Sequence, residues 1–234
     1  MIADFHTHIL PGVDDGSADL DQSLQMLWRM GQQQITRVVA TPHFYASSDH
    51  PQRFLQRRDD AFASLQEAAP KGSSKVYLGA EVYYFEGISD CEALKDLTVA
   101  GSPYILIEMP YPPWTDRMYR ELANIRQKQG LIPVIAHVDR YISPFHTHGI
   151  PENLAQLPVL VQANSSFFLR GFTRKMALRM LRQGQIHLLG SDCHNTTLRP
   201  PNLGQVVELI QKHAGQEALD TLLQNEAKIL PRET

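Results

Sequence analysis

The chain has 234 residues, a formal net charge of -3 from 22 basic and 25 acidic side chains, and 43% hydrophobic residues. That length fits one folded domain, expected to span 1–234, and the balanced charge gives no reason to expect a nucleic-acid partner. With two cysteines and only short apolar runs, the composition excludes a disulfide scaffold and membrane insertion. The first residues lack the basic and apolar regions of a secretion signal, so we expect a cytoplasmic protein of unknown oligomeric state.

Short strands rich in valine, isoleucine and leucine alternate with helical patterns along the chain. The predicted strands are 2–6, 35–41, 75–80, 104–108, 132–137, 159–164 and 186–190. The predicted helices are 20–34, 52–69, 115–129, 173–183, 202–213 and 216–230. Such strands are typical of a parallel sheet that is buried on both faces. Residues 82–103 and 109–114 show neither pattern and are predicted to be loops.

Polar residues close the predicted strands, and they recur roughly every thirty residues, the length of one strand–helix–strand unit. Seven such units predict a barrel or an open α/β sheet with its functional site at the carboxyl ends of the strands. The first strand ends in His6 and His8, whose alternate positions point both imidazoles to one side, where they can bind one cation.

The strand-end groups include nine side chains that are able to bind metal. They are His6, His8, Asp15, His43, Glu81, Glu108, His137, Asp192 and His194. Nine ligands exceed what a single ion uses, so the set predicts two or three divalent ions. Mixed imidazole and carboxylate ligands are typical of manganese, iron or zinc, and the sequence does not choose among these metals.

Two neighbouring aspartates, Asp14 and Asp15, compete for one ligand position. We favour Asp15, which directly precedes Gly16, and assign Asp14 an orienting or capping role. A second pair of alternate histidines, His146 and His148, lies in a loop with no strand before it and is interpreted as solvent-exposed. The remaining histidines are interpreted as structural or surface residues. They are His50, His187 and His213.

Five motifs together resemble the polymerase and histidinol phosphatase (PHP) superfamily and, within it, the capsule-type bacterial protein tyrosine phosphatases. They are DFHTHILPGVDDGS, TPHF, GAEVYY, AHVDRY and GSDCHNTTLRPP. The resemblance covers the whole chain and implies a distorted seven-stranded (βα) barrel similar to a TIM barrel. It implies a trinuclear centre, often loaded with manganese, at the C-terminal face of the strands.

The resemblance also implies how the ligands divide among the ions. One ion would take His6, His8, Glu81 and Asp192. A second would share Glu81 and take Glu108 and His137, and a third would take Asp15, His43 and His194.

Two arginines are implied as catalytic phosphate-binding residues, Arg140 and Arg199. A guanidinium offers a planar fork to phosphate oxygens. The implied enzyme is a metal-dependent protein tyrosine phosphatase, a phosphoric monoester hydrolase, acting on a tyrosine kinase of capsule or exopolysaccharide synthesis. A metal-bound hydroxide would attack phosphorus directly. The sequence reveals no clear general acid, and a tyrosinate leaving group, with a conjugate pKa of about 10, has little need of one.

Several alternatives stay open. Cys193 and Arg199 have the spacing of thiol-based tyrosine phosphatases, but no glycine lies between them and two prolines follow. A histidinol-phosphate phosphatase or another phosphoesterase of the superfamily would use the same ligands. An amidohydrolase would share the paired histidines and the late aspartate, and a metal-dependent binding module would bind metal without turnover.

Two further groups of residues lack an assigned role. A basic stretch is interpreted as a solvated helix face, with docking of an acidic partner as the alternative: Arg170, Arg174, Lys175, Arg179 and Arg182. A set of aromatic residues either lines a cleft for an aromatic phosphoester or forms a small satellite core: Tyr83, Tyr84, Phe85, Tyr111 and Trp114.

Overall fold

The computed structural model describes residues 2–231 and has an α/β fold built on parallel strands. Its strands are Asp4–Thr7 (β1), Arg37–Ala40 (β2), His43–Phe44 (β3), Lys75–Leu78 (β4), Glu81–Tyr83 (β5), Tyr104–Glu108 (β6), Ile132–Ile135 (β7), Leu160–Asn164 (β8) and Leu188–Gly190 (β9). Its α-helices are Leu20–Gln32 (α1), Pro51–Ala68 (α2), Asp116–Gln129 (α3), Ile150–Leu154 (α4), Ser165–Leu169 (α5), Gly171–Arg182 (α6), Leu203–His213 (α7) and Gln216–Glu226 (α8). None of the helices within this range is both long and apolar enough to cross a bilayer.

Each predicted strand and helix has a counterpart in the structure, whereas the loop predicted at 82–103 is wrong in part. That segment begins inside β5 and continues through three short 3-10 turns. Ile88, Leu94 and Leu97 from these turns are fully buried. The segment is therefore held in place by apolar packing. Its hydrophobic residues do not follow a helix or strand period, so the sequence pattern did not predict this packing.

The strands form two sheets, one ordered β1-β2-β4 and the other β3-β5-β6-β7-β8-β9, and all paired strands are parallel. Short breaks separate β2 from β3 and β4 from β5. Pro42 lies in the first break, where a residue without an N–H cannot complete a strand ladder. Backbone hydrogen bonds continue across both breaks, from Gly79 N–H to the Ala40 carbonyl and from Glu81 N–H to the Pro42 carbonyl.

The first and last strands also meet. The N–H of Asp192 donates to the His6 carbonyl at 2.8 Å, and the N–H of His8 donates to the Cys193 carbonyl at 2.9 Å. The buried carboxylate of Asp4 accepts the N–H of Ser191 at 2.8 Å. These contacts bring the segment after β9 against β1, so residues near both ends of the chain contribute to one region.

Local sequence explains where the helices begin and how they attach to the sheet. Asp19 precedes α1 and accepts the N–H of Gln22 at 2.8 Å, which satisfies an N–H that the helix itself leaves unpaired. From α1, Met26, Leu27 and Met30 are buried in the apolar core between helices and sheet. A second apolar cluster collects residues from the strands together with Ile229 and Leu230. The helices thus pack against the sheet and leave the carboxyl ends of the strands available for polar groups.

Candidate metal centre

The carboxylate of Glu81 lies at the centre of a cluster of histidines. Its Oε2 atom is 3.1 Å from His6 Nε2, 3.3 Å from His8 Nε2 and 3.0 Å from His43 Nδ1. Its Oε1 atom is 2.7 Å from His137 Nε2. Burial alone would raise the pKa of Glu81, but the adjacent histidines, with His6 foremost, hold that pKa well below its usual value. Glu81 is therefore an ionised carboxylate that is available to bind a cation.

Asp192 completes the side of the cluster next to β1. Its Oδ1 atom lies 3.6 Å from His6 Nε2, 3.4 Å from His8 Nε2 and 3.7 Å from His194 Nδ1. Burial opposes ionisation of Asp192, but the charge of His6 and the hydrogen bond from His8 hold its pKa well below the usual value. This carboxylate is placed by the hydrogen bonds between β1 and the segment after β9.

Asp15 and Glu108 lie at opposite margins of the cluster. The Oδ1 atom of Asp15 is 3.5 Å from both His43 Nε2 and His194 Nε2. Glu108 is 3.4 Å from His137 Nε2 and 3.9 Å from His43 Nδ1. All nine side chains that the sequence indicates as metal ligands are thus connected through one network of short distances.

Asp14 and Asp15 differ in their contacts with the cluster. Asp14 Oδ2 accepts a hydrogen bond from His8 Nδ1 at 2.7 Å and another from the His43 N–H at 2.9 Å. Although burial alone would raise it, the pKa of Asp14 is lowered by these contacts, above all by His8. A carboxylate that holds the Nδ1 proton of a histidine leaves its Nε2 free for a metal. Asp14 therefore orients His8, and Asp15 faces the open side of the cluster.

Sequence reasoning missed a second orienting residue, Gln162 on β8. Its Oε1 atom accepts hydrogen bonds from His6 Nδ1 at 3.2 Å and from the backbone N–H of His137 at 2.6 Å. Its Nε2 atom donates to Asn164, which in turn donates to Asp192. Two polar residues at alternate positions of a buried strand were the available signal, because they share one face of the sheet.

The ring nitrogens of His6 and His8 provide a test of whether the cluster suits cations. Their Nε2 atoms are 3.1 Å apart, and each ring directs its Nδ1 atom to an orienting acceptor. The two Nε2 lone pairs consequently face each other and Glu81. Burial would lower the pKa of His8, yet hydrogen bonds to Asp14, Asp192 and Glu81 raise it well above its usual value. A site that attracts a proton so strongly also suits a metal cation, which competes for the same lone pairs.

Unpaired buried atoms point the same way. Within residues 2–231, His43 Nδ1, Glu81 Oε2 and His194 Nε2 are buried and have no hydrogen bond of acceptable geometry. Burial, His8 and Arg199 lower the pKa of His194 to about 4, so this histidine is neutral at neutral pH and keeps a lone pair to donate. Leaving buried polar atoms without partners is costly, and cations bound within the cluster would satisfy them.

Three overlapping groups of side chains place their donor atoms within 4.8 Å of one another. They are His8 with Asp15, His43 and His194; His6 with His8 and Glu81; and His43 with Glu81 and Glu108. The donor set and its spacing fit divalent cations that are bound by imidazole and carboxylate. The grouping overlaps the division that the resemblance implies, but it places His43 beside Glu81 and Glu108.

Both predicted arginines lie beside this cluster. Arg140 donates to Glu108 Oε1 at 3.0 Å and to Asp192 Oδ2 at 2.8 Å, and Arg199 Nη2 is 2.6 Å from Asp192 Oδ1. Burial would lower the pKa of Arg140, but Asp192, Glu81 and Glu108 raise it. Both guanidinium groups also line a cavity of about 320 Å³ that opens next to Asp192. Both guanidinium groups are thus placed where an anion can approach the cluster.

The thiol alternative is not supported by the position of Cys193. Its side chain is fully buried within the apolar core. Burial, with further contributions from Asp4 and Asp192, raises the pKa of Cys193 well above the usual value for a thiol. A buried neutral thiol is a poor nucleophile, because the reactive form is the thiolate.

The remaining predictions have mixed outcomes. His146 and His148 are exposed, as expected. Among the aromatic residues, Tyr111 is exposed on the cavity, whereas Trp114 and Tyr84 are buried and belong to the apolar core. One aromatic contact was missed: Tyr45 stacks on His43, with ring centroids 5.3 Å apart.

Parallel strands whose carboxyl ends carry an imidazole–carboxylate cluster define a class of α/β proteins with a candidate metal centre. The family model described as "Capsular polysaccharide synthesis, CpsB/CapC" matches residues 2–231. The chain belongs to this family, which confirms the resemblance that its motifs carry.

Individual relatives match over nearly their full lengths. CapC of Staphylococcus aureus is 29% identical over 246 residues, with coverage of 99% of this chain and 92% of CapC. The tyrosine-protein phosphatase CpsB of Streptococcus pneumoniae is 28% identical over 240 residues, with coverage of 97% of each chain. A crystal structure from work on Bacillus subtilis YwqE and S. pneumoniae CpsB, described as metal-dependent tyrosine phosphatases, superposes with a TM-score of 0.83 and 26% identity. That superposition covers 100% of this chain and 96% of the other.

Proposed function

We propose that this protein is a metal-dependent protein tyrosine phosphatase. The observation that carries the proposal is the position of Glu81, an ionised carboxylate in contact with four histidines, beside two arginines that face a cavity. Cations and arginines at one site are what a phosphate monoester requires, because charge develops on its oxygens during transfer. The relatives named as tyrosine-protein phosphatases support phosphotyrosine as the substrate.

The proposal includes a seven-stranded barrel and a centre of two or three ions, with manganese favoured. Hydrogen bonds across the breaks support treating β2 with β3, and β4 with β5, as single strands. The contacts of Asp192 and Cys193 with β1 support closure of the barrel. The nine assigned ligands are His6, His8, Asp15, His43, Glu81, Glu108, His137, Asp192 and His194. Three overlapping donor groups support more than one ion.

Arg140 and Arg199 are assigned to hold the phosphate. In the structure each of them contacts Asp192, and Arg140 also contacts Glu108. A phosphate group that enters the cavity would exchange these contacts for bidentate ones with its own oxygens. The arginines would then fix the orientation of the phosphorus atom and balance the charge that develops as the ester bond breaks.

Divalent ions, when bound, supply Lewis acidity and lower the pKa of a coordinated water towards neutrality. The chain provides the ligands and fixes their tautomers through Asp14 and Gln162. A tyrosinate leaves readily because its conjugate acid has a pKa of about 10. Release of the tyrosine side chain therefore makes little demand on a general acid.

For the biological substrate we propose a phosphorylated bacterial tyrosine kinase of capsule or exopolysaccharide synthesis, encountered in the cytoplasm. The family to which the chain belongs is named for capsular polysaccharide synthesis. Nothing in the charge balance of the chain, -3 overall, favours a nucleic acid as a competing partner.

The test combines metal analysis with a phosphatase assay. Purified protein is analysed for its metal content, stripped with a chelator and reloaded separately with manganese, iron or zinc. Activity is measured on p-nitrophenyl phosphate, a phosphotyrosine peptide and histidinol phosphate. We expect activity to disappear on stripping, to return on reloading and to favour the peptide over histidinol phosphate. Full activity in metal-free protein would refute the metal centre, and a preference for histidinol phosphate would identify the alternative phosphatase.

A further inference from the structure

The cavity beside Asp192 has two walls of different character. Its inner wall contains Arg140 and Arg199, which the proposed function assigns to phosphate. Its outer wall contains Arg170, from the turn between α5 and α6, together with Tyr111 and Leu198. A cavity of about 320 Å³ exceeds what one phosphate group fills, so its outer part is available to neighbouring groups of the substrate.

The charge of Arg170 is not balanced within the described chain. Its side chain makes no hydrogen bond or ion pair with any residue from 2 to 231, whereas Arg140 and Arg199 both contact carboxylates. Arg174, one helical turn further along, uses its guanidinium on the carbonyls of Phe168 and Leu169. Among the three arginines that line the cavity, Arg170 is therefore the one whose guanidinium has no partner within the described residues and remains available for a ligand.

A carboxylate also lines the cavity, that of Asp139, but it is committed elsewhere. Its Oδ1 atom accepts the backbone N–H of Asn164 at 2.8 Å. Within residues 2–231, the carboxylate of Asp139 forms no ion pair with Arg170.

The backbone of Arg170 is held firmly although its side chain is exposed. Its N–H donates to the Ser166 carbonyl at 3.1 Å, and its own carbonyl accepts the N–H groups of Thr173 and Arg174. Tyr111 and Leu198, on the same cavity, are 77% and 89% exposed. The rim thus combines a cation on a fixed backbone with exposed side chains that offer contact area to a ligand.

We infer that Arg170 is a specificity residue that binds an acidic side chain adjacent to the phosphotyrosine of a protein substrate. The inference rests on the proposed function, in which Arg140 and Arg199 hold the phosphate. The substrate class is an acidic phosphopeptide whose carboxylate pairs with Arg170, while neighbouring apolar groups contact Tyr111 and Leu198.

The experiment compares three phosphotyrosine peptides of equal length whose flanking residues are glutamate, glutamine or lysine. The metal-loaded wild-type protein is assayed for kcat/KM on each peptide at low and high salt. We expect about a fivefold preference for the glutamate over the glutamine peptide at low salt, because exposed ion pairs contribute modestly and are screened by salt. The lysine peptide is expected to be the poorest substrate.

Two charge-reversal variants make the comparison specific. Arg170→Glu is expected to invert the order, so that the lysine peptide becomes the best substrate. Arg179→Glu, a matched change at an exposed position of α6 away from the cavity, is expected to keep the wild-type order. Equal shifts in both variants would show an effect of overall charge and overturn the inference, as would an unchanged order in Arg170→Glu. Circular dichroism and thermal unfolding establish that both variants are folded.

Failure of this inference is distinguishable from failure of the proposed function. Hydrolysis of all three peptides at equal rates would refute the role of Arg170 and leave the phosphatase standing. Absence of turnover on peptides and on p-nitrophenyl phosphate in metal-loaded protein would refute the phosphatase. In that case, fluorescence anisotropy with labelled peptides still tests Arg170. The same order of affinities, inverted by Arg170→Glu, would support its role, and equal affinities would refute it.

Discussion

Two buried glutamates occupy opposite ends of the strands and differ in how completely they are paired. Glu81, at the carboxyl ends, contacts four histidines, and its Oε2 atom has no hydrogen bond of acceptable geometry within residues 2–231. Glu226, at the amino ends, accepts the N–H of Ala3 at 3.0 Å and pairs with Arg37 at 2.9 Å. Both side chains are 1% exposed. Burial alone therefore does not separate a functional carboxylate from a structural one.

The two glutamates differ in how completely their carboxylate oxygens are paired. Glu226 connects the end of α8 to the start of β1 and to β2, so its contacts are those of a structural residue. Glu81 lies among groups that cannot satisfy one another without a proton or a cation. Each buried polar atom without a partner costs about 1–3 kcal/mol. A cluster of such atoms persists at the expense of stability, which is a pattern typical of a binding site.

The largest expected effect comes from removing the charge of Glu81. Glu81→Gln should lower phosphatase activity by more than about a hundredfold, because it removes the carboxylate that would bind the proposed ions. It should also abolish the rise in Tm that metal loading gives the wild-type protein. Glu226→Gln is the matched control and should keep both activity and the metal-induced rise. Comparable activity losses in the two variants would contradict the distinction between the two ends.

A smaller effect is expected from the residue that orients His8. Asp14→Asn should weaken metal affinity and activity by about 10- to 100-fold, as is usual when the partner of a metal-binding histidine is changed. Metal titration followed by competition with a chelator measures the affinity. Asp14 contacts His8 without belonging to the donor groups, so saturating metal should restore much of the activity. Loss of activity that no metal concentration restores would instead make Asp14 a direct participant.

The structural role of Glu226 should be visible in the pH dependence of the free energy of unfolding. Burial, which outweighs the Ala3 N–H and Arg37, raises the pKa of Glu226 from 4.5 to about 8. Its contribution to stability is thus complete below about pH 4.5 and is lost as the pH rises towards 8. The free energy of unfolding of the wild-type protein should fall relative to that of Glu226→Gln over this interval, by at most about 1.4 kcal/mol per pH unit. Parallel pH profiles from denaturant titrations of the two proteins would refute this assignment.

The smallest effect is expected at Cys193. Because this thiol is buried and neutral, Cys193→Ser should leave kcat within about twofold of the wild-type value once the protein is loaded with metal. Complete loss of turnover in a variant that is folded and binds metal would revive the thiol mechanism.

The sequence indicated the candidate ligands more readily than the residues that position them. Histidines and carboxylates at strand ends form a local pattern, and parallel strands carry that pattern to one face of the sheet. The partners of Asp4 and Gln162 followed no such rule. Asp4 accepts the N–H of a residue 187 positions away, and Gln162 connects histidines from two different strands. Local periodicity can mark Gln162 as a polar position on a buried strand, but its partners depend on the finished fold.

The sequence carried a local signal for the ends of β2 and β4 that was not used in the prediction. Pro42 and Gly79 lie at or beside the positions where β2 and β4 stop, and both residue types interrupt strands. Arg170 is a contrasting case. In sequence it belongs to a basic stretch that is typical of a solvated helix face, and its place on the cavity is set by how α5 packs. Charge runs alone do not separate the residue that faces a ligand from its neighbours that face water.

The hydrogen bonds between β1 and the segment after β9 also have a consequence for how the centre is assembled. His6 and His8 come from the first strand, whereas Asp192 and His194 follow the last one, so no shorter stretch of the chain holds the full set. During translation, His6 and His8 would emerge long before Asp192 and His194. The full set of candidate ligands is therefore complete only after translation has passed residue 194, so a cation could bind in the complete arrangement only after that point.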